Sequence, residues 1–274
     1  MTQREPAPKP ITSLQNDRVK AIRALEMRKA RKETGLFVAE GASLLVTARE
    51  HGFTPETLLF RAGSAASGIA RGLVEGALKA GAECLEVSEA VLGKLASKDN
   101  PQSMLGVFRQ RWVEAPPAAK VAPSQLWLAL EEVHDPGNLG TILRTADAVG
   151  ASGVILIGQS CDPYSRECVR ATMGSIFAVP LVKMTREAFL AWRASWRGDV
   201  VGTHLEGAED FREVGYRAPV LLVMGSEGPG LSEPMAKACT RLVKIPMAGS
   251  LDSLNLAVAT ALMLYEIRRP ELKL

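Results

Sequence analysis

The chain has 274 residues and a mass of 29.4 kDa, which at roughly 100–200 residues per domain predicts two domains. Its 47% hydrophobic and 23% charged residues are those of an ordinary globular chain, excluding wholesale disorder, a collagen repeat and a disulfide-stapled miniprotein. The net charge is only +3, but residues 1–35 hold nine Lys/Arg against four acids, a net +5 that leaves −2 for the remainder.

Such a basic segment is either a phosphate-contacting arm, each Lys or Arg releasing a counterion on binding, or a solvated, frayed end. The amino-terminal MTQREPAPKP has no apolar core and predicts no secretory signal. No run approaches the roughly 18 apolar residues of a membrane span. Cys84, Cys161, Cys168 and Cys239 form no CxxC pair, so a thiolate metal site lacks its usual spacing and the thiols are expected to be reduced. These features predict a cytoplasmic protein.

After the Pro-rich leader, Asn16 or Asp17 can cap a helix running to about Lys32. On it Lys20, Arg23 and Arg31 share one arc, with Val19, Ile22 and Leu25 roughly opposite. A strand at Leu36–Ala39, a helix at Gly41–His51, a strand at Thr57–Phe60, a helix around Ile69–Ala80 and strands at Cys84–Val87 and Met104–Phe108 follow. Together they predict a small α/β domain over 36–112 behind the basic segment 1–35. Residues 113–124, rich in Pro and Ala, read as the linker. The domain 125–274 begins with a strand at Leu126–Val133 and a helix at Leu139–Val149 ended by Gly150. Strands at Val154–Ile157, Ala178–Val182, Asp199–Thr203, Val220–Met224 and Leu242–Ile245 come next, then a helix at Leu254–Arg268. This alternation predicts a mostly parallel sheet covered on both faces.

The chain lacks GxGxxG after a strand, GxxxxGK[ST], HExxH and GxSxG, which disfavours a standard dinucleotide site, a P-loop, a zincin and a hydrolase elbow. His51, His134 and His204 are scattered and read as surface or hydrogen-bonded residues.

Three segments share one design, an apolar strand entering a Gly/Pro/Ser-rich loop and then a helix. In LALEEVHDPGNLGTILRTADAVG, Asp135-Pro136-Gly137 turns the chain and Asn138 is a good N-cap. Arg144 lies among apolar neighbours, so its guanidinium needs a partner, either a carboxylate or a phosphate or reacting hydroxyl. In PVLLVMGSEGPGLS, Gly225, Gly228 and Gly230 let backbone approach a ligand closely. Glu227 is there either a solvated turn residue or a site carboxylate. In RLVKIPMAGSLDSLNLAVATALMLYEIRR, Ser253 can cap the last helix and Asn255 falls in its first turn. That helix is apolar nearly all round, which predicts cover from its own sheet and from another subunit.

Taken together the loops resemble the three motifs of the SpoU (TrmH-type) branch of the SPOUT methyltransferases. DPxNxGxIxRxA is complete from Asp135 to Ala146, GxEGxG from Gly225 to Gly230, and IPMxGxxxSLNxxxA from Ile245 to Ala259. Ser226 stands where many relatives have Asn or Ala, and Leu256-Ala257 where Val-Ser is frequent. Upstream, ITSLQNDRVK and RKARKETGLFVAEGASLL look like the accessory substrate-binding domain with a ribosomal-protein-L30e-like fold.

The resemblance implies an α/β fold with a deep trefoil knot in its carboxyl-terminal domain, an exception to un-knotted chain paths, and a homodimer formed through the knot. It implies 2′-O-methylation of a ribose, with ribosomal (23S) RNA the expected partner and S-adenosylmethionine the cofactor. The cofactor's adenosine would sit at Gly225, Ile245 and Leu254, with Thr203, Met247 and Asn255 nearby. Arg144 matches the family's catalytic Arg, helping to deprotonate the hydroxyl in concert with the substrate phosphate; Glu227, Asn138, Ser253 and Asn255 would position it and the cofactor. No metal is implied, because a sulfonium drives the transfer. The alternatives are a tRNA methyltransferase, an inactive RNA-binding member of the same fold, and a small-molecule methyltransferase, which the basic segment and the accessory domain disfavour.

Overall fold

The computed structural model describes residues 7–96, 102–205 and 209–273; Arg4 of the basic segment lies outside the described residues. The described chain forms two compact units, one of residues 7–110 with 164–177, the other of 111–163 with 178–273.

In the first unit, chain order is β1 (Lys9–Ile11), α1 (Asp17–Ala24), α2 (Arg28–Thr34), β2 (Leu36–Glu40) and α3 (Ala42–Glu50). Then come β3 (Thr57–Arg61), α4 (Gly68–Lys79), β4 (Glu83–Val87), α5 (Glu89–Leu95) and β5 (Met104–Arg109). The sheet runs β1-β4-β3-β5-β2, parallel across its first three strands and antiparallel on both sides of β5. Leu59, Leu85, Leu105 and Val107 share a core with Val19, Ile22 and Leu25, the face predicted to dock. Asn16 caps α1, its side-chain oxygen accepting from the Arg18 N–H at 2.9 Å.

The helix predicted to reach Lys32 instead stops at Ala24 and restarts at Arg28. The reason is Arg31, which is buried (4% exposed). Its Nη1 donates to the carbonyls of Leu25 and Glu26, both at 2.8 Å, satisfying acceptors that the broken helix leaves over. Arg31 therefore does not share the exposed arc of Lys20 and Arg23. Two elements of this unit were not predicted. β1 lies in the Pro-rich leader, and an edge strand tolerates Pro10 because one side of it needs no ladder bond; α5 is a short helix of 7 residues.

The second unit contains β6 (Leu126–Glu131), α6 (Pro136–Ala148) and β7 (Gly153–Ile157). After α7 (Arg166–Ala171), which groups with the first unit, follow β8 (Leu181–Met184), α8 (Arg186–Arg193), β9 (Val200–Thr203), β10 (Glu209–Asp210), β11 (Val220–Met224), α9 (Glu233–Ala238), β12 (Arg241–Lys244) and α10 (Leu256–Arg268). The sheet is β10-β12-β9-β11-β6-β7-β8, parallel at every pairing. Every residue of β6, β7 and β11 is buried, as a parallel sheet covered on both faces requires. The strand expected at Ala178–Val182 is displaced to 181–184. Pro180 has no N–H for a ladder and offers only its carbonyl, which accepts from the Val154 N–H.

The Pro-rich stretch packs on this unit rather than standing off it. Ala118 and Val121 are buried, and the Trp192 indole N–H donates to the Pro116 carbonyl at 2.7 Å. Trp192 also lies 6.5 Å from Trp127 and 5.5 Å from Trp196 between ring centroids. Among the described residues no helix is long and apolar enough to cross a membrane.

Because β12, β9, β11 and β6 are consecutive neighbours and all parallel, their carboxyl ends share one edge of the sheet. The loops that follow them meet there, where ligands of open α/β sheets sit.

If Arg31 closes the helix break, Arg31→Ala should destabilise the fold by about 2 kcal/mol in a denaturant melt, the scale of lost charged hydrogen bonds. The salt dependence of RNA binding should not change. A flattening equal to that of Lys20→Ala would return Arg31 to a phosphate-contacting face.

Candidate cofactor and active site

The first loop is short because Asp135 both ends it and caps α6: its Oδ1 accepts from the Asn138 N–H at 2.6 Å, with Pro136 in the first helical turn. Asn138, the expected cap, thus sits inside that turn with its side chain released. The amide Nδ2 donates to Glu227 Oε1 at 3.1 Å, and the amide oxygen accepts from Asn255 Nδ2 at 3.0 Å. Asn255, not Ser253, caps α10; its Oδ1 accepts from the N–H groups of Ala257 and Val258 at 2.9 and 3.3 Å. Ser253 instead donates to Asp252 Oδ1 at 3.2 Å.

The relay has one polarity. Two helix N–H groups fix the oxygen of Asn255, so its NH₂ faces the oxygen of Asn138, whose own NH₂ then faces Glu227. Glu227 must accept at both oxygens, the second receiving the His134 N–H at 3.2 Å. Burial pushes the Glu227 carboxyl up, but the Asn138 amide and the N–H groups of His134, Glu227 and Asp135 outweigh it and hold the group below the usual carboxylate range. Of the two alternatives for Glu227, the merely solvated turn residue does not hold.

Beside the relay lies a cavity of about 540 Å³, within the span of small-molecule sites. Of the residues singled out from the sequence, Thr203, Gly225, Glu227, Ile245, Met247, Ser253, Leu254 and Asn255 line it. His204, Lys244 and Asp252 line it as well; Asp252 sits unmarked inside the third motif, and the other two follow or end strands with no local signal. The second loop folds back on itself, Ser226 and Gly230 exchanging N–H to carbonyl bonds at 3.1 and 3.2 Å. A Cβ on Gly225 would stand 2.0 Å from the Gly230 carbonyl carbon. Gly225 is thus required first by the closure of its own loop, and only through that by a ligand. Gly228 is needed for its backbone, at φ +95°.

Arg144 stands apart. It is exposed, has no hydrogen-bond or ion-pair partner among the described residues, and does not line the cavity. The carboxylate partner considered from sequence is not there. Among the described residues, no group of three or more His, Cys, Asp or Glu is arranged to hold a metal ion.

Residues 125–265 match the SpoU rRNA methylase family and residues 16–106 the MRM3-like substrate-binding domain. An AdoMet-bound rRNA methyltransferase from Sinorhizobium meliloti superposes with a TM-score of 0.87 at 44% identity, covering 97% of this chain and 99% of that one. The 23S rRNA (uridine(2479)-2′-O)-methyltransferase of Streptomyces viridochromogenes is 33% identical, covering 97% of this chain and 94% of its own. The 23S rRNA (guanosine(2553)-2′-O)-methyltransferase of Bacillus subtilis is 29% identical, at 95% and 99%. With the family match running from the start of β6 nearly to the end of α10, across all three loops, the chain belongs to the SpoU rRNA methylase family.

Proposed function

We infer that this chain transfers a methyl group from S-adenosylmethionine to a ribose 2′-hydroxyl of RNA, with ribosomal RNA as the substrate. The observation that carries this is the Glu227–Asn138–Asn255 relay, whose two ends, Glu227 and Asn255, line a cavity of about 540 Å³. Relatives named for a guanosine and for a uridine of 23S rRNA support a ribosomal target and leave the base open. Such a substrate would place the protein in the cytoplasm.

The cavity suits the cofactor. Met224, Ile245 and Leu254 offer apolar wall for a flat base. Two carboxylates, Glu227 and Asp252, against the single ammonium of Lys244 leave the lining net acidic, which suits a ligand of net positive charge. When bound, S-adenosylmethionine supplies an electrophilic methyl on a positive sulfur. Gly225, Ile245 and Leu254 would hold its adenosine, with Thr203, Met247 and Asn255 beside them. Glu227, Asn138 and Asn255 keep the three loops in register. Ser253 positions the same wall.

A 2′-hydroxyl is a weak acid, so its attack needs stabilisation as the proton leaves. The unpaired guanidinium of Arg144 has a planar fork able to hold a substrate phosphate and the ribose oxygen together. The phosphate then takes the proton while Arg144 stabilises the oxyanion.

The protein acts as a homodimer, and the trefoil knot is part of the same proposal. α10 buries Leu256, Met263, Leu264 and Ile267 but leaves Val258, Leu262 and Tyr265 41–51% exposed on the other side. An apolar stripe of that kind marks an interface. α6, which carries Arg144, packs beside α10.

Titration calorimetry should show one S-adenosylmethionine site per chain, and Gly225→Ala should abolish it; unchanged affinity would move the site elsewhere. Arg144→Ala should stay folded and still bind cofactor, yet lose tritiated-methyl incorporation into RNA by at least about 10²-fold. Near-normal turnover in that variant would overturn the mechanism while sparing the methyltransferase assignment. Light scattering should return twice 29.4 kDa, and a micromolar monomer would refute the dimer.

A further inference from the structure

Glu131, the last residue of β6, has a side chain only 3% exposed, a burial that a carboxylate tolerates only when well paired. Its Oε1 accepts from Arg186 Nε at 2.8 Å and from the Ser232 hydroxyl at 2.6 Å; its Oε2 accepts from the Ser232 N–H at 2.9 Å. Arg186, the first residue of α8, reaches Glu132 as well, at 3.5 Å. Ser232 precedes α9 as its N-cap, yet its hydroxyl makes no capping bond and instead donates to Glu131.

Ser232 is also where the second loop ends. At the other end of that loop Glu227 is gripped by Asn138 and His134. Between the two grips lie Gly228, Gly230 and Leu231, all of which line the cavity. Gly228 and Gly230 have positive φ, and the Ser226–Gly230 bonds close the loop on itself, so what remains to be set from outside is how the closed loop sits against the cavity. One end of the loop is thus tied by residues of the three motifs, the other by a carboxylate–guanidinium pair that belongs to none of them.

We propose that Glu131, oriented by Arg186, is a positioning residue that sets the second loop in its cofactor-binding shape by holding Ser232. Neither Glu131 nor Arg186 lines the cavity; they act through Ser232 on Gly230 and Leu231. The role rests on the reading above that this cavity takes S-adenosylmethionine. Its physical content is preorganisation: a loop already in its bound shape loses less conformational freedom on binding.

Glu131→Gln keeps the shape but sets an NH₂ against either the Ser232 N–H or the Arg186 Nε, whichever way the amide turns. The dissociation constant for S-adenosylmethionine, measured by calorimetry well below the melting temperature, should rise about tenfold, the worth of one hydrogen bond to a charged group. The KM for RNA should be unchanged. A purely structural role would lower the melting temperature and leave the cofactor constant of the folded protein alone, and that result overturns the proposal. Ser232→Ala, which removes only the hydroxyl and leaves Glu131 paired with Arg186, should weaken binding less and in the same direction. Should Glu131→Gln fail to fold, parent-like affinity in Ser232→Ala overturns the role. A parent protein that binds no S-adenosylmethionine overturns the assignment of the cavity and this role with it; a parent that binds no better than the variants overturns the role alone.

Discussion

The carboxyl edge of the second unit depends on Asp135 taking over the cap of α6. An Asn at a helix start ordinarily spends its side-chain oxygen on the orphan N–H groups of the first turn. Here Asp135 does that, and Asn138 is left with both ends of its amide available. One side chain can then be donor to Glu227 and acceptor from Asn255 at once, which links three loops separated by 89 and 117 residues along the chain. Two hydrogen bonds of this kind would contribute little on a mobile surface. Anchored by helix N–H groups at one end and by an ionised carboxylate at the other, each bond fixes the donor sense of the next.

The parallel register makes such a relay reachable. Strands that all run one way deliver all their exits to one edge, and β6 and β11 are direct neighbours, so the first and second loops start a single strand spacing apart. The arrangement divides labour. Apolar strand interiors supply rigidity, while the polar side chains of the relay sit in the loops and the first turns of the helices that follow them. Arg144 differs from them, a charge carried two turns into α6 and turned to solvent.

Much of this was legible in the residues. The unbroken apolar runs at 126–130 and 220–224 have the look of buried parallel strands, and the spacing within the three motifs marks the loops that meet. The caps were not legible. Asp135 and Asn138 are both good N-cap residues, as are Ser253 and Asn255, and which one serves depends on where the other's side chain finds a partner far away in sequence. Arg31 misleads for a similar reason: helical projection places it with Lys20 and Arg23, but projection assumes one unbroken helix, and Arg31 itself stabilises the break. Glu131 carries no local mark either. It ends an apolar strand, and only the fold shows that Ser232 and Arg186 converge on it.

The clustering of Trp192 with Trp127 and Trp196 has an optical consequence. All four tryptophans of the chain, Trp112 included, lie in the second unit, whereas the first has Tyr164 and phenylalanines such as Phe37 and Phe108. Emission excited at the red edge of the protein absorption band therefore comes from the second unit alone. Fluorescence would watch the second unit and backbone circular dichroism both units together, so an unfolding of the first unit by itself would pass unseen in the one and register in the other.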